Sequence, residues 1–407
     1  MGACFEGHLI DHAKRASVSA GAALIAAVLL QGPDAHAEPL DHFISNLYGG
    51  QGITLADTPG FSHAHHFTQD SITELNALGG SIVSGLNLTS FPTTAVGYTY
   101  DIQLGLPVSS AGSLGPILGE RAETLGAGKL NLAATYNRVD FTNFNGKSLN
   151  HIKLLLPHAP IPGCTLANCD FLADQIQLNV KLDISQDVFA IYTTYGITAN
   201  WDVSFILPVV HTHAVATSDA NIIINSASGP GVHSFVGAET SPHSVSGGDA
   251  TGIGDIILHT KYNFLRDKPS LPDLAVAGQL RVPSGDKSNL LGTGSTSLLG
   301  LLILSKQIDW YAPHLNIGYE GAFGGLDKSN LRYAVGGDFR IDPTLTTAVD
   351  FVGRKFTGGQ QLHDVGLGAK WNPVGASVFS VNFLLPINRN DGLRPDYVAS
   401  IGYQITF

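Results

Sequence analysis

The sequence predicts an all-β protein, a transmembrane antiparallel barrel of the bacterial outer membrane, and its last strand, its first residues and its composition carry that prediction. From Tyr397 to Phe407 apolar residues alternate with small or polar ones: Ala399, Ile401, Tyr403, Ile405 and Phe407 against Ser400, Gly402, Gln404 and Thr406. A period of two belongs to a strand with one apolar face. A chain that stops on such a strand, with an aromatic at its end, suits a barrel that closes by pairing its last strand. At the other end, Lys14 and Arg15 precede a short apolar run from Val18 to Leu30, and Ala35, His36 and Ala37 form an A-x-A site. Residues 1–37 are therefore expected to be a cleaved signal peptide. Charged residues make up only 14% of the chain, against roughly a quarter in soluble domains.

No stretch of eighteen uninterrupted apolar residues follows, so the sequence offers no transmembrane helix to compete with strands. The net charge of -11 is dispersed and forms no basic stripe, which argues against a nucleic-acid partner. Outer-membrane lipids are the expected surroundings. Beyond the signal region, Cys164 and Cys169 lie close together in one loop, and in an oxidising compartment such a pair is expected to form a disulfide that stiffens the loop.

Reading back from Phe407, connections alternate between short and long, as outer-membrane barrels require. Asn372–Ala376, Asp342–Thr344, Ile308–Pro313 and Leu265–Asp273 are the short ones. Asn388–Arg394, Thr357–His363, Gly324–Asn330, Pro283–Ser295 and the 34 residues Thr217–Ala250 are longer. Segments near 81–91, 94–107, 129–142, 174–196, 201–214, 253–265, 273–283, 296–308, 314–323, 331–341, 345–356, 362–372, 377–387 and 396–407 read as strands. Their number predicts about 14 strands, within a range of 12–16. The stretch 174–196 is read as one long strand, because a hairpin at Gln186 and Asp187 would break the turn alternation. Residues 38–80 lack a long alternating run and are expected to form a periplasmic or plug segment, leaving 81–407 as the barrel.

Several pieces of the chain resemble an outer-membrane channel family associated with phenol meta-pathway degradation. They are Asn46–Gly50, Ser113–Gly126, Tyr195–Val203, Gly252–Phe264, Pro283–Gly294 and Trp371–Gly375. The resemblance implies a channel for passive uptake of small aromatic or other hydrophobic molecules. The terminal strand likewise resembles the signal read by the outer-membrane assembly machinery, with Tyr403, Ile405 and Phe407 as its residues. A structural or ligand-binding barrel acting through its extracellular loops is the competing reading, and a homo-oligomer such as a trimer is compatible with either.

An ionisable group at membrane depth must face the lumen. Asp101, Gln103, Lys181, Asp183, Lys261, Asp338, Arg340, Asp350 and Lys370 are accordingly the candidate pore-lining residues. Catalysis is not expected: Ser204 with His211, or Ser244 with His243, could be named for a lipid hydrolase, yet no spacing singles out a triad. No cofactor is expected either, since Gly-Ile-Gly-Asp at 252–255 opens a strand and not the helix a nucleotide loop needs. His63, His65 and His66 cluster, as do His211 and His213; without further ligands at recognised spacing they read as solvated side chains and not as a metal site.

Overall fold

Twelve antiparallel strands close into a barrel in the computed structural model, which describes residues 39–57, 62–86, 98–101, 106–109, 113–227, 232–238, 241–374 and 377–407. The signal-peptide segment and Gln103 lie outside the described residues. The staves are β1 (Leu130–Phe144), β2 (Gln175–Thr198), β3 (Trp201–Ile223), β4 (Ile256–Leu265), β5 (Asp273–Val282) and β6 (Thr296–Ser305). They continue as β7 (Tyr311–Phe323), β8 (Asn330–Arg340), β9 (Leu345–Phe356), β10 (Gln361–Val374), β11 (Ser377–Pro386) and β12 (Leu393–Thr406). Each pairs with its sequence neighbour, and β1 pairs with both β2 and β12 to close the ring. Phe407 extends the closure, its backbone exchanging hydrogen bonds of 2.8 and 3.0 Å with Leu130.

Among the described residues the wall has twelve strands, at the low end of the expected 12–16 and two short of fourteen, because the first two expected strands are not staves. Residues 81–86 are the last turns of a helix, α1 (Thr68–Leu86). In the segment 94–107, the strand Tyr98–Asp101 pairs, among the described residues, only with Leu106–Ser109, in a separate two-stranded sheet. Alternation marks a strand with two unlike faces, but it does not say which sheet the strand joins. The long β2 is one continuous strand, as the turn alternation requires.

The wall presents its apolar residues outward. Leu298, Leu315, Ile317, Val335, Val349, Leu367, Val381 and Phe383 are exposed on the successive staves β6 to β11, although no aqueous surface rewards such exposure. The short-turn end carries an aromatic girdle: Tyr195, Trp201, Tyr262, Phe264, Trp310, Trp371, Phe379, Tyr403 and Phe407 all point outward there. All three tryptophans of the chain belong to it. Indole and phenol rings favour the membrane interface, and short turns mark the periplasmic side of outer-membrane barrels. No helix among the described residues is long and apolar enough to cross a membrane.

On the long-loop side β2 and β3 run far past the wall. At about 3.3 Å per residue, the 24 residues of β2 reach roughly 80 Å, well beyond an apolar band about 25 Å tall. Much of the stretch 217–250 is therefore strand: β3 continues to Ile223 and then pairs with His243–Ile253, from Val209↔Ile253 to Asp219↔His243. Polarity inverts in this extension. Ile176, Leu178, Val180, Leu182 and Ile184 point inward and are fully buried with Leu40, Phe43, Ile44, Leu47, Phe67, Leu75 and Ile82 of the N-terminal segment. Lys181 and Asp183 consequently face outward into water, not into the pore. Above the membrane the outer face meets solvent and the inner face meets a protein core, so an alternation that elsewhere puts apolar groups in lipid here puts them against the cap.

Residues 39–57 and 62–86, including α1, form this cap. Backbone bonds tie Asp41 to Ser288 and Ala56 to Ser234, and the Tyr48 hydroxyl donates to Ser218 Oγ at 2.9 Å. The Cys164–Cys169 disulfide is formed, with a Cα–Cα distance of 5.5 Å, in the loop that leads into β2.

Candidate functional site

A second segment crosses the lumen near the periplasmic end. Residues 113–126 lie inside the barrel as an irregular strap, and the wall satisfies their backbone groups one after another, as buried amides require. Asp350 Oδ2 accepts from the N–H groups of Ile117 (3.1 Å), Leu118 (2.7 Å) and Gly119 (3.4 Å). Asn316 clamps Glu120 from both sides: its Oδ1 accepts from Glu120 N–H at 2.7 Å, and its Nδ2 donates to Glu120 O at 2.8 Å. Ser305 Oγ accepts from Ala122 N–H, Asn263 Nδ2 donates to Ala122 O, and Asp202 Oδ2 accepts from Leu125 N–H. The fit is close: a Cβ on Gly119 would lie 2.4 Å from His314 Nε2, and one on Gly368 would lie 2.2 Å from Ile117 Cδ1.

The strap is locked by a buried charge network. His314 Nε2 lies 2.6 Å from Asp350 Oδ1, and Arg121 Nη1 lies 3.5 Å from Asp338 Oδ2. Arg121 also donates to Ser113 Oγ at 2.9 Å, and Ser113 in turn donates to Asp338. Asp338, Asp350 and His314 have almost no exposed surface, and the buried Lys370 interacts with both carboxylates. Glu120 Oε1 and Oε2 approach His259 Nε2 at 3.3 Å and Lys261 Nζ at 3.8 Å.

Between strap and cap the lumen keeps a cavity of about 310 Å³. Leu118 and Leu125 of the strap, Val188, Tyr192, Ile206 and Val352 of the wall, and Leu290 and Leu291 of the loop after β5 give it an apolar lining. That loop is drawn inward by Asp255, whose Oδ1 accepts from Gly285 N–H and whose Oδ2 accepts from Thr293 N–H and Oγ1. Toward the extracellular side Arg281, Arg332 and Arg354 join the lining opposite Glu320, Asp327 and Asp364. Glu320 accepts from Ser297, Asn330 and Arg332, while Arg281 pairs with Asp327. These charges largely neutralise one another, so the cavity offers hydrogen-bonding edges and apolar walls more than a field for ions.

Of the residues named from the sequence, Lys261 lines this cavity, while Asp338, Asp350 and Lys370 meet around the strap. Arg340 shares the parity of Asp338 but lies exposed at the periplasmic rim, beyond the strap. Asp101 sits in the separate hairpin. The stretch Ser113–Gly126 stands out in the sequence as a piece of the family resemblance, but no alternation marks it as a strap, and its contacts with Asp350, Asn316 and Asp202 are all distant along the chain. The histidines also depart from the solvated state expected of them. His65, His211 and His213 are accessible to solvent, whereas His63 is buried and His66 half-buried within the cap. Burial, followed by the charges of neighbouring imidazoles, lowers the His66 pKa to about 4.

The two serine–histidine pairs are split by the strands that carry them. Ser204 lines the cavity and shares a 2.8 Å hydrogen bond with Thr194, while His211, on the opposite face of β3, bonds to Thr251. Ser244 accepts from Tyr48 N–H, and His243 pairs with Asp219.

Residues 167–385 match the model of the family described as "Putative MetA-pathway of phenol degradation". Among solved structures, the COG4313 outer membrane channel from Pseudomonas putida F1 is similar at 12% identity, covering 70% of this chain and 98% of its own, with a TM-score of 0.44. A Pseudomonas aeruginosa FadL homologue gives 9% identity, 79% and 99% coverage and a TM-score of 0.35. The Ralstonia pickettii toluene transporter TbuX gives 11%, 74% and 96%, and 0.36. No curated protein matches the sequence.

Proposed function

The chain belongs to this phenol-degradation family, and from that premise we propose that it is an outer-membrane channel through which small aromatic molecules with a polar edge, such as phenols, enter by passive diffusion. The luminal cavity is the observation that carries this reading. A protein cavity of roughly 150 Å³ holds benzene, so about 310 Å³ accommodates a substituted ring with room to turn. Its apolar wall suits the ring, and the guanidiniums and carboxylates toward the cap suit a hydroxyl or a carbonyl. Loops alone would serve a purely adhesive barrel, which has no use for a solute-sized chamber between two internal barriers. Tyr403, Ile405 and Phe407, on the outward face of the closing strand, serve in this reading as the contact for the assembly machinery.

The test is flux. Protein lacking residues 1–37, inserted in vesicles with lipopolysaccharide in the outer leaflet, is expected to speed phenol entry over protein-free vesicles while leaving a sugar of similar volume excluded. Equal phenol entry with and without a folded barrel removes the channel reading.

A further inference from the structure

We propose that His63, His66 and His233, completed by His158, bind a divalent transition metal of the zinc type that fastens the cap to the extracellular hairpin. The four rings come from three separate parts of the chain: the turn before α1, the end of the strand Ile152–Pro157, and the loop between β3 and His243–Ile253. One ligand nitrogen from each of His63, His66 and His233 lies within 4.8 Å of the others. His63 Nδ1 and His66 Nδ1 are 3.3 Å apart, the edge length of a tetrahedron whose metal–nitrogen bonds are about 2.0–2.1 Å. The ring of His158 packs against His66 and His233 at centroid distances of 4.4 and 5.1 Å.

The orientation of two of these rings is already that of ligands. His233 Nδ1 lies 2.9 Å from Asp174 Oδ2, a carboxylate partner that fixes the proton on Nδ1 and turns the Nε2 lone pair to the cluster. Asp174 is held in turn by the N–H groups of Asn225 and Ser226. His158 Nδ1 donates to Ala159 O at 2.7 Å, which likewise frees Nε2 as an acceptor. The Nε2 atoms of His158 and His233 are buried without a hydrogen-bond partner, a cost that a metal would remove. Phe67 packs edge-on against His158 and His233, and Phe171 packs edge-on against His233 and tilted against His158, giving the cluster an apolar surround. An all-imidazole set of this kind suits zinc, copper or nickel and not calcium or magnesium.

The test uses the whole protein in detergent after chelator treatment, titrated with ZnCl2 by calorimetry and with Co2+ by visible absorption. One equivalent is expected to bind, with the Co2+ spectrum of a tetrahedral nitrogen site and a raised melting temperature of the cap. His63→Ala and His233→Ala are each expected to weaken binding more than about tenfold, the scale on which even outer-shell groups act. His65→Ala, on the exposed ring beside them, leaves it unchanged. Titration of the unsubstituted protein decides the question even if a variant misfolds. Failure to bind one equivalent, an octahedral Co2+ spectrum, or affinity that His65→Ala lowers as much as His63→Ala overturns the proposal.

Discussion

Replacing Asp350 by alanine is expected to raise the single-channel conductance of the reconstituted barrel severalfold. One oxygen of this carboxylate accepts three consecutive strap N–H groups, and the other pairs with His314. Without it those amides and a buried imidazole lose their partner together, and truncating one side of a buried pair costs about 3–5 kcal/mol. The β-ladder does not depend on Asp350, since β9 keeps its pairing with β8 and β10. The strap should therefore leave the wall before the wall fails. Heat-modifiable migration checks that the barrel remains folded while planar-bilayer recordings read the conductance. Asp350→Asn, which keeps an acceptor but not the charge, is expected to fall between the two. Unchanged conductance in a folded Asp350→Ala barrel would mean that the strap does not limit passage.

Filling the cavity is expected to have the opposite effect. Ala190 lines the chamber from β2 and is 2% exposed, so a tryptophan there has to project into the space a solute would use. Overpacking a closed space costs about 1–3 kcal/mol, and each 1.4 kcal/mol added at the narrowest point slows passage about tenfold. Phenol flux through Ala190→Trp should drop by about that factor or more. Val188→Ala, which widens the same wall, should not lower it. The outward face is untouched in both variants, so insertion is expected to proceed normally. Equal flux through both would place the route outside the cavity.

The barrel is legible in the sequence because lipid and water impose a period of two on every stave, and the twelve segments from 129 onward coincide with the wall. The same signal misleads at 94–107, where alternation builds a hairpin outside the barrel, and at 181 and 183, where the strand has left the membrane. Periodicity reports that two faces differ; the medium on each face comes from tertiary structure. The site is less legible for a related reason. Asp338, Asp350 and Lys370 can be named as inward charges, but their partners, Arg121, Ser113 and the amides of 117–119, lie on a segment with no periodicity at all. The histidine cluster joins residues as far apart as 63 and 233, and no local spacing encodes such a meeting.

A small aromatic solute is expected to dwell in the luminal cavity on its way through the barrel, and anomalous diffraction from crystals soaked in 4-bromophenol addresses that directly. The predicted result is a bromine peak inside the barrel, among Leu118, Tyr192, Leu291 and Val352, that is lost in Ala190→Trp. A peak confined to the outer apolar belt, with the cavity holding no bromine, would contradict it.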